Sequence, residues 1–193
     1  MKNKLIISFA GQGQGIGTLP RYEFVNFLSK HYSENYDFQF YLDKTNKWYH
    51  SGINNETRDI PSSVVYLQTI ISGYKDIYFI GSSAGGYASI LYASLLKESN
   101  QNFTVIAFKP QTFISGYQFN NLKNIKKDNV KYYLFGDPVI EYHIDPLHHI
   151  SHINNINLSS NVFTCLIENL DLQKMKNSGH LLEIFNKILI PDT

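Results

Sequence analysis

Short apolar segments alternate with helix-like segments along most of the chain, and this alternation constrains the fold more than any other sequence feature. Apolar, β-branched or aromatic runs predict strands at 5–9, 36–42, 76–80, 103–108, 130–135 and 162–167. Segments typical of helices lie between or after them, at 20–32, 60–71, 86–96, 147–153 and 180–189. Such alternation predicts parallel strands. We therefore expect an α/β fold, a three-layer sandwich with a mostly parallel sheet of about six strands and helices on both faces.

Length and composition indicate one ordinary globular domain. The chain has 193 residues, of which 43% are hydrophobic and 17% are charged. It contains no internal repeat, low-complexity tract or linker, so we expect a single domain over 1–193. Seventeen Lys and Arg against 16 Asp and Glu give a net charge of +1 without a basic stripe. This balance disfavours nucleic acid as the main partner.

The expected compartment is the cytoplasm. No stretch approaches the roughly 18 apolar residues of a membrane span, and segment 5–10 is too short for a signal peptide. Cys165 is the single cysteine, so no internal disulfide forms. Its apolar surroundings predict a buried, inert thiol. Nothing in the sequence indicates the oligomeric state.

The most specific local motif is Gly81-Ser82-Ser83-Ala84-Gly85, which fits Gly-x-Ser-x-Gly between a predicted strand and a predicted helix. In that setting the central serine occupies a strained turn, and the flanking glycines let strand and helix approach without Cβ clashes. The helix N-terminus favours developing negative charge. The motif predicts Ser83 as a nucleophile, since Ser82 has the wrong spacing; an ordinary Gly/Ser-rich turn is the alternative.

A serine nucleophile needs a base and an acid that orients the base. His180 follows the last predicted strand near the end of the chain, which predicts it as the base; a helix cap is the alternative. The acid should follow the preceding strand. Asp145 is the favoured acid, Asp137 is the alternative acid, and Glu141 or no acid is also open.

Acyl chemistry further needs N–H donors for an oxyanion. The amide of Ala84, directly after Ser83, is one predicted donor. The glycine-rich loop after the first strand supplies the other, with Gln12 favoured over Gly11 and a plain flexible turn as the alternative. The same loop does not fit a dinucleotide-binding fingerprint, because Ile16 stands where the third glycine is required.

Several histidines cluster late in the chain: His143, His148, His149 and His152. With Asp145 they make a metal site conceivable, but the metalloprotease spacing is missing, and surface or helix-packing roles are favoured. A third alternative is that one of them replaces His180 as the base. We predict neither a metal nor a cofactor.

These motifs, in the order oxyanion loop, serine elbow, late Asp and last His, resemble the α/β-hydrolase superfamily. The resemblance implies a Ser–His–Asp ester or acyl hydrolase without a cofactor. The chain departs from the superfamily in having Phe9-Ala10-Gly11 before the oxyanion loop and no obvious inserted lid. Gly11-Gln12-Gly13 also resembles the opening loop of malonyl-type acyl-carrier acyltransferases, in which the glutamine amide is an oxyanion donor. Those enzymes have an arginine after the nucleophile, whereas Arg21 and Arg58 both precede Ser83.

The expected function is a serine esterase that cleaves a small-molecule carboxylic ester. A small acyl group is expected, with an O-acetyl group on a carbohydrate as one instance. An acyltransferase using the same Ser–His pair is one alternative. A non-catalytic ligand-binding module on a hydrolase scaffold is another.

Overall fold

A computed structural model describes residues 2–12, 24–97, 100–156 and 159–190. It contains a six-stranded parallel sheet with the strand order β2-β1-β3-β4-β5-β6. The strands are β1 (Lys4–Phe9), β2 (Asp37–Tyr41), β3 (Asp76–Ser82), β4 (Asn102–Phe108), β5 (Lys131–Gly136) and β6 (Val162–Leu166). The α/β prediction and all six predicted strands are confirmed.

Helices cover both faces of the sheet, as the apolar strands predict. They are α1 (Val25–Tyr32), α2 (Ile60–Ile71), α3 (Ala84–Leu95), α4 (Ser151–Ile156), α5 (Leu172–Ser178) and α6 (His180–Leu189). Helices α2, α3 and α4 pack on one face against side chains such as Ile7 and Phe79. Helices α1, α5 and α6 pack on the other face against side chains such as Ile6 and Ile80. None of the helices in the described ranges is long and apolar enough to cross a membrane.

Two helix predictions differ from the structure. The helix predicted at 147–153 begins only at Ser151, because residues 145–149 form turns in which the His148 amide donates to the Asp145 carbonyl. Helix α5 was not predicted, since Leu172 and Met175 are its only buried residues. Its start depends on Asp171, whose side chain accepts from two backbone N–H groups of the first turn. The predicted start of α1 at residue 20 lies outside the described residues.

The prediction that Cys165 is buried is wrong. Among the described residues, strand β6 pairs with β5 alone and is an edge strand, and Cys165 on it is an exposed free thiol. Phe163 and Leu166 of the same strand are also about half exposed. An apolar run therefore does not distinguish this edge strand from the fully covered central strands.

Two buried polar side chains tie together the loops at the carboxyl ends of the strands. Asp137 accepts from the backbone N–H groups of Asn169, at 3.1 Å, and Leu170, at 2.8 Å, and so joins the loop after β6 to the end of β5. His152 Nδ1 accepts from the Thr112 amide at 2.9 Å, and its Nε2 lies 3.1 Å from the Pro146 carbonyl. Because Nδ1 is an acceptor, Nε2 holds the proton and donates to Pro146. His152 thus anchors the segment 145–148 to the loop after β4.

We predict that replacing Gly85 destabilises the protein far more than replacing Gly73. A Cβ at Gly85 would lie 2.1 Å from the Phe9 carbonyl oxygen, whereas a Cβ at Gly73 meets nothing within 4 Å. Gly85→Ala should lower the free energy of unfolding by about 3 kcal/mol or more, and Gly73→Ala should change it by less than about 0.5 kcal/mol. Urea unfolding measures both. Equal effects would show that the approach of β1 to α3 is looser than the structure indicates.

We also predict that stability falls as the pH is lowered from about 6.5 towards 4. Burial lowers the pKa of His152 to about 4. In that window the unfolded chain takes up a proton at this histidine and the folded chain does not, so acid favours unfolding. His152→Gln removes this titration, and its free energy of unfolding should depend less on pH than that of the wild type in urea titrations between pH 7 and 4. Parallel pH profiles would contradict the neutral, buried state of His152.

Candidate active site

The serine motif forms the tight strand-to-helix turn that its glycines predict. Ser83 has φ 55° and ψ −120°, a left-handed conformation that is strained for a residue with a side chain. A Cβ on Gly81 would lie 2.2 Å from the Gly85 backbone, so only glycine allows this turn to close. The Ser83 amide donates to the Phe108 carbonyl at 2.9 Å and ties the turn to β4. The turn projects the Ser83 side chain beyond the carboxyl end of β3.

A histidine and an aspartate continue from Ser83 in a line of hydrogen bonds. Ser83 Oγ lies 2.8 Å from His148 Nε2, and His148 Nδ1 lies 2.7 Å from Asp145 Oδ2. Asp145 accepts from Nδ1–H, which leaves Nε2 as the acceptor for the Ser83 hydroxyl proton. The His148 side chain is 14% exposed and that of Asp145 is 40% exposed. The arrangement has the nucleophile–base–orienting acid order of a catalytic triad.

His148 and Asp145 come from one turn between β5 and α4. Asp145 and His148 are three residues apart, and the Asp145 carbonyl accepts from the His148 amide at 3.3 Å. The Asp145 amide in turn donates to the Glu141 carbonyl at 3.1 Å. Together with the hydrogen bond from His152 to Pro146, these contacts hold both functional side chains on a single short segment.

The structure does not bring the predicted base, His180, to Ser83. His180 is the first residue of α6 and is exposed, and within the described residues no hydrogen bond joins its ring to Ser83 or Asp145. Two features separate it from the serine: β6 lies beyond β4 and β5 from β3, and α5 stands between β6 and α6. The structure therefore places His148, and not the predicted His180, at hydrogen-bonding distance from Ser83.

Of the predicted acids, only Asp145 is linked to Ser83, and the link runs through the ring of His148. The alternative acid Asp137 is buried, and both its oxygens accept from backbone N–H groups, which gives it a structural role. Glu141 lies at the surface with its carboxylate 3.2 Å from His143 Nε2. The sequence clue to the base was the Asp-Pro-Leu-His spacing within the histidine cluster, because a turn brings side chains three residues apart close together.

The remaining cluster histidines have separate partners. His149 Nδ1 accepts from the Ser151 amide at 3.1 Å, His143 faces Glu141, and His152 is buried. Within the part of the chain that the structure describes, no group of three or more His, Cys, Asp or Glu side chains is arranged to hold a metal ion.

The chain after β1 passes directly against the start of α3. Gly85 packs on the backbone of Phe9 and Ala10, which places Gly11 and Gln12 just beyond this contact. Ala84 opens α3, so its amide is one of the N–H groups that the helix itself leaves without a partner. The side-chain nitrogen of Gln12 is buried and makes no hydrogen bond within the described residues. Residues 13–17 of the glycine-rich loop lie outside those residues.

Neither models of protein families nor the sequences of curated proteins match the chain. Solved structures do match. A lipase/esterase of Lactobacillus plantarum aligns over 96% of this chain and 86% of its own, with 10% identity and a TM-score of 0.58. An esterase of Pyrococcus furiosus aligns over 96% and 82%, with 16% identity and a TM-score of 0.55. A fluorophosphonate-binding serine hydrolase of Staphylococcus aureus aligns over 94% and 82%, with 8% identity and a TM-score of 0.56.

These similarities agree with the topology of the sheet. They span nearly the whole chain at identities too low to transfer residue roles or substrates. They show the fold: the expected three-layer α/β architecture is confirmed, and the chain has the α/β-hydrolase fold.

Proposed function

We propose that the protein is a serine hydrolase that cleaves a carboxylic ester through an acyl-enzyme. The observation that supports this most directly is the line of hydrogen bonds from Ser83 through His148 to Asp145. The strained backbone of Ser83 supports it further, because such strain concentrates at functional sites. Several structural neighbours are esterases or serine hydrolases, which agrees with the same chemistry.

In the first half of the reaction, Ser83 Oγ attacks the ester carbonyl carbon while His148 Nε2 takes the hydroxyl proton. Asp145 holds the ring in the required tautomer and stabilises the imidazolium that forms. The carbonyl π electrons move to the oxygen, and the N–H groups of Ala84 and Gln12 are the proposed donors to this oxyanion. When the tetrahedral intermediate collapses, the ester C–O bond breaks and His148 returns the proton to the departing alcohol.

Water completes the cycle. His148 Nε2 removes a proton from water as its oxygen attacks the acyl carbon, and a second tetrahedral intermediate forms. Its collapse breaks the bond to Ser83 Oγ, which recovers its proton from His148, and the carboxylic acid leaves. Each turnover therefore consumes one ester and one water and restores the serine.

The proposed substrate is a small-molecule ester with a small acyl group, such as an O-acetyl group on a carbohydrate. The sequence contains no long apolar insertion that would form a lid over a long acyl chain. Substrate is expected beyond the carboxyl ends of the strands, where β1 and β3 connect to helices on opposite faces of the sheet.

We predict that Ser83 and His148 are both essential and that His180 is not. A fluorophosphonate probe should add once to the wild type, detected by intact mass, and should fail to add to Ser83→Ala. His148→Ala should lower the rate of labelling and the kcat/KM for p-nitrophenyl acetate by at least about a thousandfold. The matched control His180→Ala, at an exposed position, should stay within about twofold of the wild type.

Circular dichroism and urea unfolding of the same variants separate loss of activity from loss of fold. Full activity of folded Ser83→Ala, or no adduct on folded wild type, would overturn the hydrolase proposal. An inactive His180→Ala beside an active His148→Ala would instead overturn the assignment of the base.

A further inference from the structure

A pocket of about 350 Å³ opens beside the segment that bears Asp145 and His148. Its walls come from the loops after β2, β4 and β5, together with α4, so it lies at the carboxyl ends of the strands. Leu147, the neighbour of His148, forms part of its wall. The residues that line it include Trp48, Phe113, Tyr117, Tyr142, Leu147 and His152. We call this space the loop pocket.

The walls of the loop pocket are aromatic and uncharged. The rings of Trp48 and Tyr117 lie 5.5 Å apart, and Phe113 stacks on His152 at 4.0 Å. None of its described lining residues is Asp, Glu, Lys or Arg. His152 is neutral above a pH of about 4, because burial lowers its pKa. A charged ligand would therefore be desolvated here without a counter-ion.

The protein itself satisfies the polar groups of two walls. Trp48 Nε1 donates to the buried side-chain oxygen of Gln111, and His152 uses both ring nitrogens on backbone groups of Thr112 and Pro146. These bonds hold both rings in place and occupy their ring N–H groups. A preformed pocket with apolar faces and few free polar groups suits an uncharged apolar ligand.

We infer that the loop pocket binds an uncharged apolar group of the substrate, a hydrocarbon chain or ring on the alcohol side of the ester. This inference rests on the proposed function, since it places the group beside His148 while Ser83 attacks the carbonyl carbon. It adds to that function a binding site for one part of the substrate, which the enzyme would use to select among esters.

Trp48 is the only tryptophan of the chain, so its fluorescence reports on the pocket independently of catalysis. In the Ser83→Ala protein, hexyl acetate should produce a saturable change in emission with a Kd at least about tenfold below that of methyl acetate. Monomethyl succinate, which is charged, should produce none. Tyr142→Glu in the Ser83→Ala background should weaken binding of hexyl acetate at least about fivefold, because it brings a charge to the pocket wall.

Ile144→Glu is the matched control, since Ile144 is exposed on the same loop and does not line the pocket. It should bind hexyl acetate as the Ser83→Ala protein does. No saturable change, equal Kd values for the two acetates, or equal weakening by both Glu variants would overturn the inference.

Kinetics of the protein with Ser83 intact then test which side of the ester the pocket holds. Hexyl acetate and methyl heptanoate are isomers, and hexyl acetate should have the higher kcat/KM, whereas a higher kcat/KM for methyl heptanoate would overturn the placement of the alcohol side in the loop pocket. If hydrolysis proceeds at the same kcat/KM for methyl acetate as for both isomers, the pocket inference fails while the hydrolase proposal stands. If no fluorophosphonate adduct forms on Ser83, the hydrolase proposal fails, whatever Trp48 reports.

Discussion

The close approach of two backbones, the end of β1 and the first turn of α3, is the contact on which the site depends. Gly85 lies against the Phe9 carbonyl with no room for a side chain, and Gly81 lies against Gly85 in the same way. This approach holds Ser83 at φ 55°, with its amide bonded to β4 and its carbonyl accepting from the Tyr87 amide in the first turn of α3. The packed sheet therefore supports a conformation that an isolated turn would avoid, at a cost on the order of 1–3 kcal/mol.

His148 and Asp145 are brought to Ser83 by a single short segment of the chain. Both lie on the turn 145–148, so one segment, correctly placed, aligns two side chains at once. The placement comes from His152, which bonds the segment to the loop after β4, and from Ile153 and Ile156 of α4, which are buried in the core beside α3. The geometry of Asp145 and His148 thus depends on apolar packing and on one buried neutral imidazole rather than on ion pairs.

The fold and the tight turn at Ser83 were predictable because both depend on local sequence pattern. A strand that is apolar along its whole length can be recognised from a short stretch of sequence. The turn at Ser83 can be recognised because it requires glycines at a fixed spacing. An acid was predicted after β5, with Asp145 favoured and Asp137 as the alternative. The histidine beside Ser83 was not predictable, because His148 and His180 both follow Ser83 and Asp145 along the chain and only His180 also follows the last predicted strand. The edge position of β6 and the insertion of α5 keep His180 away from Ser83. Helix α5 has too few apolar residues to be recognised from the sequence.

The central claim is that Asp145, His148 and Ser83 act as one hydrogen-bonded unit, and proton NMR of the imidazole rings tests it most directly. The hydrogen bond to Asp145 should give His148 a far-downfield Nδ1–H resonance. That resonance should disappear in His148→Gln, shift upfield in Asp145→Asn and persist in His180→Gln. A downfield resonance that persists in His148→Gln and disappears in His180→Gln would contradict the account and return the role of base to the helix α6.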